Sequence, residues 1–407
     1  MGLASEHVGG PSGAPREENP RLRIVLSGIL YIFLASSYFS IAVNSISLGL
    51  MAIVWIIEMV LRRRVLIRPV GLEWVFLAYL IAQTLSTIFS VDPLQSLVNS
   101  KRLLLIGIVY FLVAHLNTRR QLEQATAVWH AAASIVAMIG VVKLFTGSPD
   151  EVVRLGVFQF YMTTSGMMMI AGLLALPFVL HGRTPSPLRW VAAGSLVPIL
   201  IVLYATVTRG AYLAFLAGAI VVVLVRKWRL VFPLAAVLVA GILAAPPYVA
   251  ARLQSLIDLN HPENVTRLMM WTAGIRIFAH HPLVGVGDID LGDLMRAYAD
   301  PGYPGVWGHL HNIPLQFLAT LGIVGFAVVV TMFVLIVRLQ WRAVRTTAQD
   351  WFEGSLSLGA LAVTIGLLVH GLTEWTFGDQ EVVTLFWIAL GLSLSALRLR
   401  TSNEALR

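Results

Sequence analysis

Apolar runs near the length of a bilayer core recur along this chain, and they constrain its fold more than any motif does. Twelve can be drawn, at roughly 24–43, 45–61, 72–90, 103–116, 124–145, 161–181, 190–207, 211–225, 230–250, 313–337, 355–376 and 383–397. About twenty apolar residues in a helix cross the hydrocarbon. Only helices and closed barrels leave no backbone polar group unpaired there. Barrel strands would alternate in blocks of about ten residues, and these runs do not alternate. Composition agrees: 57% of the chain is hydrophobic and 12% charged, against about a quarter charged in a soluble domain. The expected fold is all-α, a polytopic membrane protein of about 12 transmembrane helices.

The net charge of +8 is informative through its distribution. Basic clusters fall at Arg21/Arg23, Arg62–Arg64 with Arg68, Arg119/Arg120, Arg183/Arg189, Arg226/Lys227/Arg229, Arg338/Arg342/Arg345 and Arg398/Arg400. With Arg16 and Arg407 they hold 20 of the 29 basic residues, all on one side of a twelve-span drawing. The positive-inside rule makes that side cytoplasmic, with both termini on it. Nucleic acid is not the partner this pattern implies. Residues 1–23 and 398–407 read as cytoplasmic tails, 24–250 as spans one to nine, and 313–397 as spans ten to twelve. Residues 251–312 read as one large loop on the far side, carrying short helices. A loop that long exceeds what a connection needs, and such loops are usually functional.

The remaining basic residues are Lys101, Arg102, Lys143, Arg154, Arg209, Arg252, Arg267, Arg276 and Arg296, all at the far side. Arginines at the lipid boundary suit anionic headgroups, phosphates above all; the plainer reading is that they anchor helix ends. Arg209 sits in the tight turn Thr206-Val-Thr-Arg209-Gly210, as a bidentate phosphate clamp or as a turn arginine facing headgroups. Val265 to His280 has helical character, ended before Pro282. On it, Arg267 and Arg276 are nine residues apart and half a turn out of phase, so they cannot face one site. His311 stands with His309 and Asn312 at the mouth of span ten. An imidazole there can act as a general base, or can bond the free N–H groups of the span. His370 and Glu374 are four apart, the spacing of one helix face. His309-x-His311 with Asp288-x-Asp290 offers metal-ligand types without a diagnostic spacing, and neither metal nor cofactor is expected.

The ordered pieces Thr208-Arg209-Gly210, Thr266-Arg267…Trp271, His281-Pro-Leu-Val-Gly285-Val-Gly287, His311-Asn312 and Leu321-Gly-Ile-Val-Gly325 resemble the O-antigen ligase and polymerase superfamily. The resemblance is strongest over residues 205–330. It implies a GT-C-like enzyme of the bacterial inner membrane whose active site faces the periplasm. Such an enzyme takes a glycan from undecaprenyl diphosphate. In the ligase branch the acceptor is lipid A–core oligosaccharide; in the polymerase branch it is another lipid-linked repeat unit. A single large outer loop favours the ligase branch.

The motif carries over to Arg209, Arg267 and His311 as catalytic residues. Lys143, Arg154, Arg276, His309, Asn312 and Glu374 are the further substrate-binding candidates. The implied chemistry is inverting displacement without metal, His311 as base and arginines on the diphosphate, with membrane lipids around the site. The alternatives are the polymerase of the same superfamily and, from another class, a transporter with an outer lid. A transporter would instead show paired, broken spans at mid-membrane.

Overall fold

The computed structural model describes residues 20–148, 154–181, 187–244, 247–255, 258–305 and 307–405, and their regular structure is helical. The expected N-terminal tail up to residue 19 lies outside the described residues. In chain order the helices are α1 (Pro20–Ser36), α2 (Ile41–Arg62), α3 (Glu73–Ile88), α4 (Pro93–Asn99), a 3-10 segment (Ser100–Ile106), α5 (Gly107–His115) and α6 (Arg119–Thr146). Then come α7 (Tyr161–Leu180), α8 (Pro187–Ala205), α9 (Arg209–Lys227), α10 (Val231–Leu243) and α11 (Pro247–Gln254). The remainder are α12 (Pro262–His280), α13 (Gly292–Tyr298), α14 (Ile313–Thr347), α15 (Trp351–His370) and α16 (Gln380–Ala405).

Each of the twelve apolar segments overlaps a helix. Eight helical stretches among the described residues are long and apolar enough to cross a membrane, and Ile24–Ser36, Glu73–Ile88 and Arg189–Ala205 are shorter apolar helices. One of the eight runs from Arg209 to Gly241 as a single 33-residue stretch. The chain nevertheless turns back inside it. Arg209, at the start of α9, donates to Ser255 Oγ at 2.7 Å. The 19 residues of α9 carry the chain about 28 Å away, so α10 and the residues after it must recover that distance. The turn falls at the 3-10 step Trp228–Leu230.

Polar side chains mark the helix starts. Ser40 caps α2, Thr118 and Gln121 form a reciprocal capping box on α6, Asn312 caps α14, and Asp350 caps α15. Each satisfies amides that the first turn leaves free. The helices α7, α15 and α16 are buried on nearly every face and form the centre. Small residues let them approach: a Cβ on either Gly218 or Gly366 would lie 2.6 Å from a Leu173 methyl, the close contact typical of membrane helices. At one end Arg119 pairs with Asp350, Arg226 with Ser355, and Arg398 with the Val113 carbonyl. The long polar segment gathers at the other end.

That segment is locked into the bundle by a break in α14. Gly322 has φ 63 and ψ −170, so the helical ladder is interrupted there. Pro282–Gly287 fills the gap. Val286 and Gly287 amides donate to the Ala319 and Thr320 carbonyls, both at 3.0 Å; the Ile323 amide returns to the Pro282 carbonyl at 2.8 Å. Irregular backbone at this depth is tolerable only when protein satisfies it. The fit leaves no room: a Cβ on Gly285 would lie 2.3 Å from the Thr320 carbonyl carbon, and one on Gly322 2.4 Å from that of Leu283. Both glycines also have positive φ. Gly285→Ala therefore combines a backbone clash with a strained dihedral. It should cost about 3 kcal/mol or more, read as a lowered unfolding temperature of the purified protein. An unchanged midpoint would show that the junction yields.

Candidate functional site

The site forms where the turns before α7, α9, α14 and α16 meet α12. The chain turns into α14 through His311, whose φ of 47 is left-handed, and into α9 through Val207, φ 51. Such backbone is uncommon for any side chain other than glycine and a real outlier for a β-branched one. Both outliers stand within two residues of a candidate site residue, as strained positions often do at working sites.

Glu374 is the hub. Its Oε1 accepts from His311 Nδ1 at 2.6 Å and from the Trp375 amide at 3.2 Å, and His309 Nε2 lies 3.6 Å away. Its other oxygen is 3.9 Å from the Arg267 guanidinium. Burial alone would raise the Glu374 carboxyl, but its contacts with His309 and His311 outweigh that and hold it well below the usual carboxylate range. An ionised carboxylate only accepts, so the Nδ1 of His311 donates to it; in a neutral imidazole so oriented, Nε2 is the nitrogen with the lone pair. That Nε2 is buried and makes no hydrogen bond. Trp307 packs edge-on against the imidazole, with ring centres 4.7 Å apart.

Beside His311 a cavity of about 210 Å³ is bounded by Arg154, Tyr161, Glu263, Arg267 and Trp307. Arg154 donates to Tyr161 Oη and to Glu263 Oε1, both at 2.7 Å. Glu263 Oε2 turns to Arg209 at 3.4 Å. Arg209 is buried and also donates to Asn264 Oδ1 at 3.0 Å. A second small void of about 20 Å³, lined by Arg209, Arg267, His370 and Glu374, lies behind it.

Four sequence candidates thus converge directly: His311, His309, Glu374 and Arg267. Arg154 and Arg209 join through Glu263. The structure corrects one inference: α15 ends at His370, so Glu374 belongs to the turn after the helix and not to a helix face shared with His370. Asn312 is structural, its Oδ1 capping α14 and its Nδ2 donating to the Leu372 carbonyl. Lys143 donates to the Val157 carbonyl and lines neither cavity. Arg276 faces away, as its phase requires, bound to Asp300 and the Tyr298 carbonyl. Glu263, Ser255, Tyr161 and Trp307 were not singled out; only their place on the folded chain reveals them.

A metal constellation of the two histidines with Asp288 and Asp290 does not form. Asp288 pairs with Arg102 at 2.7 Å, and Asp290 accepts from the Gly292 amide. His309, His311 and Glu374 do present three ligand atoms within 4.8 Å of one another, enough to hold a divalent ion. Against that use, Nδ1 of His311 is committed to Glu374, and a guanidinium stands on the other carboxylate oxygen.

Residues 194–330 match the family model described as O-antigen ligase. Over that segment the chain is similar to the O-antigen ligase and polymerase superfamily. No curated protein matches it. The superfamily segment contains Arg209, Glu263, Arg267, Trp307, His309, His311 and the break at Gly322. Glu374 and Arg154 lie outside it, so the candidate site also draws on turns that flank the matched segment.

One neighbouring group adds a pH effect. Asp379, bonded by Thr163 Oγ1 at 3.0 Å, has its carboxyl pushed up to about 7, chiefly by burial, with Glu374 and Glu381 acting the same way. The folded protein thus holds a proton there that the unfolded chain has lost above about pH 4. Stability must then fall as pH rises from about 4 to 7. Asp379→Asn should remove that slope, a gain of the order of 2 kcal/mol at pH 8 after discounting for partial exposure. Unfolding midpoints of both proteins from pH 5 to 8 test it; parallel curves would refute it.

Proposed function

We propose that this protein is an O-antigen ligase, transferring a glycan from undecaprenyl diphosphate to lipid A–core oligosaccharide at the periplasmic face of the bacterial inner membrane. The observation that carries the reading is the pairing of Glu374 with His311 Nδ1, which leaves Nε2 unbonded beside an arginine-walled cavity. Orientation also supports it: the site lies at the end opposite Arg119, Arg226 and Arg398, and basic ends face the cytoplasm.

His311 Nε2 takes the proton of the acceptor hydroxyl as that oxygen attacks the anomeric carbon. The bond from that carbon to the diphosphate oxygen breaks on the opposite face, so configuration inverts. Undecaprenyl diphosphate leaves with the bonding electrons. Glu374 holds the imidazole in the required tautomer and stabilises the imidazolium, as carboxylate–histidine pairs do. The developing charge on the diphosphate is met by the guanidinium groups of Arg267 and Arg154. The incoming diphosphate competes with Glu263 for Arg154 and Arg209. No step calls for a metal.

The test is the lipopolysaccharide of a strain lacking the gene, examined together with its undecaprenyl-linked glycans. Core without O-antigen, beside accumulated long lipid-linked polymer, is the ligase result. Core capped by one repeat unit would identify the polymerase instead, and an unchanged pattern would remove both. Chelator-sensitive transfer, or full activity in both His311→Ala and Arg209→Ala proteins, would overturn the mechanism.

A further inference from the structure

We propose that a second cavity, on the other side of Trp307, is the binding groove for the acceptor glycan and that it selects sugars without anionic substituents. This rests on the transferase reading above. The cavity measures about 620 Å³ and opens on the face that carries the site, within the size range of ligand pockets. One wall is the turn and start of α4, with Val91, Asp92 and Gln95; the other is α13 and the strap leading to the histidines, with Asp290, Asp293 and Trp307. The same Trp307 bounds the arginine cavity and touches His311, so a chain lying in the groove ends at the base.

The two cavities differ in chemistry. The smaller one carries Arg154 and Arg267 against one carboxylate, Glu263. The larger carries three carboxylates against one guanidinium, Arg296. That guanidinium is already committed to Asp293 and to the Gly305 carbonyl. A diphosphate belongs in the first. An indole with carboxylates and a carboxamide suits the second to a hydroxyl-rich, uncharged saccharide, whose apolar ring face packs on the aromatic while its hydroxyls donate to oxygen acceptors. Asp92, Asp290 and Gln95 each spend one oxygen on a backbone amide, at 3.0, 2.7 and 2.9 Å. These bonds fix the side chains, and each oxygen retains lone-pair capacity toward the cavity. An acceptor bearing phosphate or uronate would meet like charge there, the repulsive element that specificity needs.

The experiment uses the full chain in nanodiscs. A neutral hexose oligosaccharide and the same oligosaccharide carrying a phosphate monoester are titrated without donor, by saturation-transfer NMR, and then compared as acceptors. Val91→Trp fills the groove from an exposed position that takes no part in the chemistry. It should weaken binding of the neutral glycan and raise the acceptor KM by about tenfold or more, leaving the donor KM unchanged. Asp92→Asn with Asp293→Asn keeps the helix cap and should improve use of the phosphorylated glycan several-fold. An unaltered acceptor KM in Val91→Trp, or wild-type preference for the phosphorylated glycan, would overturn the assignment. If wild-type protein transfers nothing from a lipid diphosphate donor, the transferase reading falls separately, while the binding titration still judges the groove.

Discussion

Glu374→Gln is expected to slow glycan transfer by about 10²–10⁴-fold, the range general acid–base groups supply, with little change in donor or acceptor KM. The variant keeps the volume of the side chain and removes its charge. Glutamine can present its NH₂ to His311 Nδ1, and the imidazole then carries its proton on Nε2, where the acceptor hydroxyl needs a lone pair. Even with the amide oxygen facing Nδ1, the imidazolium formed during transfer loses its counter-charge. The loss corresponds to about 3–5 kcal/mol of barrier. His309 and Arg267 also lose their common anion, so part of the deficit is positional. His311→Ala in the same background should then cost little more, because residues acting as one unit are not additive. Additive losses in the double variant would separate Glu374 from His311.

Arg209→Lys should lower kcat/KM for the donor by about 100-fold or more, the cost of about 3 kcal/mol, with the acceptor KM unmoved. One guanidinium here serves Ser255, Asn264 and Glu263, which tie the start of α9 to the residue just after α11 and to α12. An ammonium on a flexible stem cannot reproduce that planar fork. Helix α12 carries both Glu263 and Arg267, so slack at Arg209 passes directly to the diphosphate contacts. Arg209→Ala should in addition unfold more easily, since it strips a buried hydroxyl and a carboxamide of their donor. A lysine variant with wild-type donor kinetics would reduce Arg209 to a bystander.

The helices were legible because lipid leaves the backbone no alternative, and apolar length alone locates them. His311, Arg209 and Arg267 stood out through an ordered set of short motifs that resembles a known superfamily, and the fold brings Arg267 to the carboxylate that bonds His311. The opposed faces of Arg267 and Arg276 followed from helical phase. The partner of His311 did not follow from anything local. Glu374 lies 63 residues away, and its spacing from His370 suggested a shared helix face, whereas the helix ends at His370 itself. Glu263 gave no signal at all: an acidic residue after Pro262 reads as a favourable first-turn charge, and only the fold brings Arg154 and Arg209 to it. Asp288 offered a metal-ligand type because Asp288-x-Asp290 accompanies His309-x-His311 in the sequence; Arg102, far earlier in the chain, claims it instead.

The interrupted helix α14 has a consequence for how such proteins can be recombined. The break at Gly322 lies ten residues into the helix, about 15 Å below its mouth, yet its missing bonds are made by residues 282–287. The polar segment is therefore stitched into the membrane helix and has no separable border at the surface. A chimaera that exchanges only residues 251–312 between two relatives would pair one parent's thread with the other parent's seam. One that exchanges 251–330 moves both together, so the thread and its seam stay matched when the longer piece is exchanged.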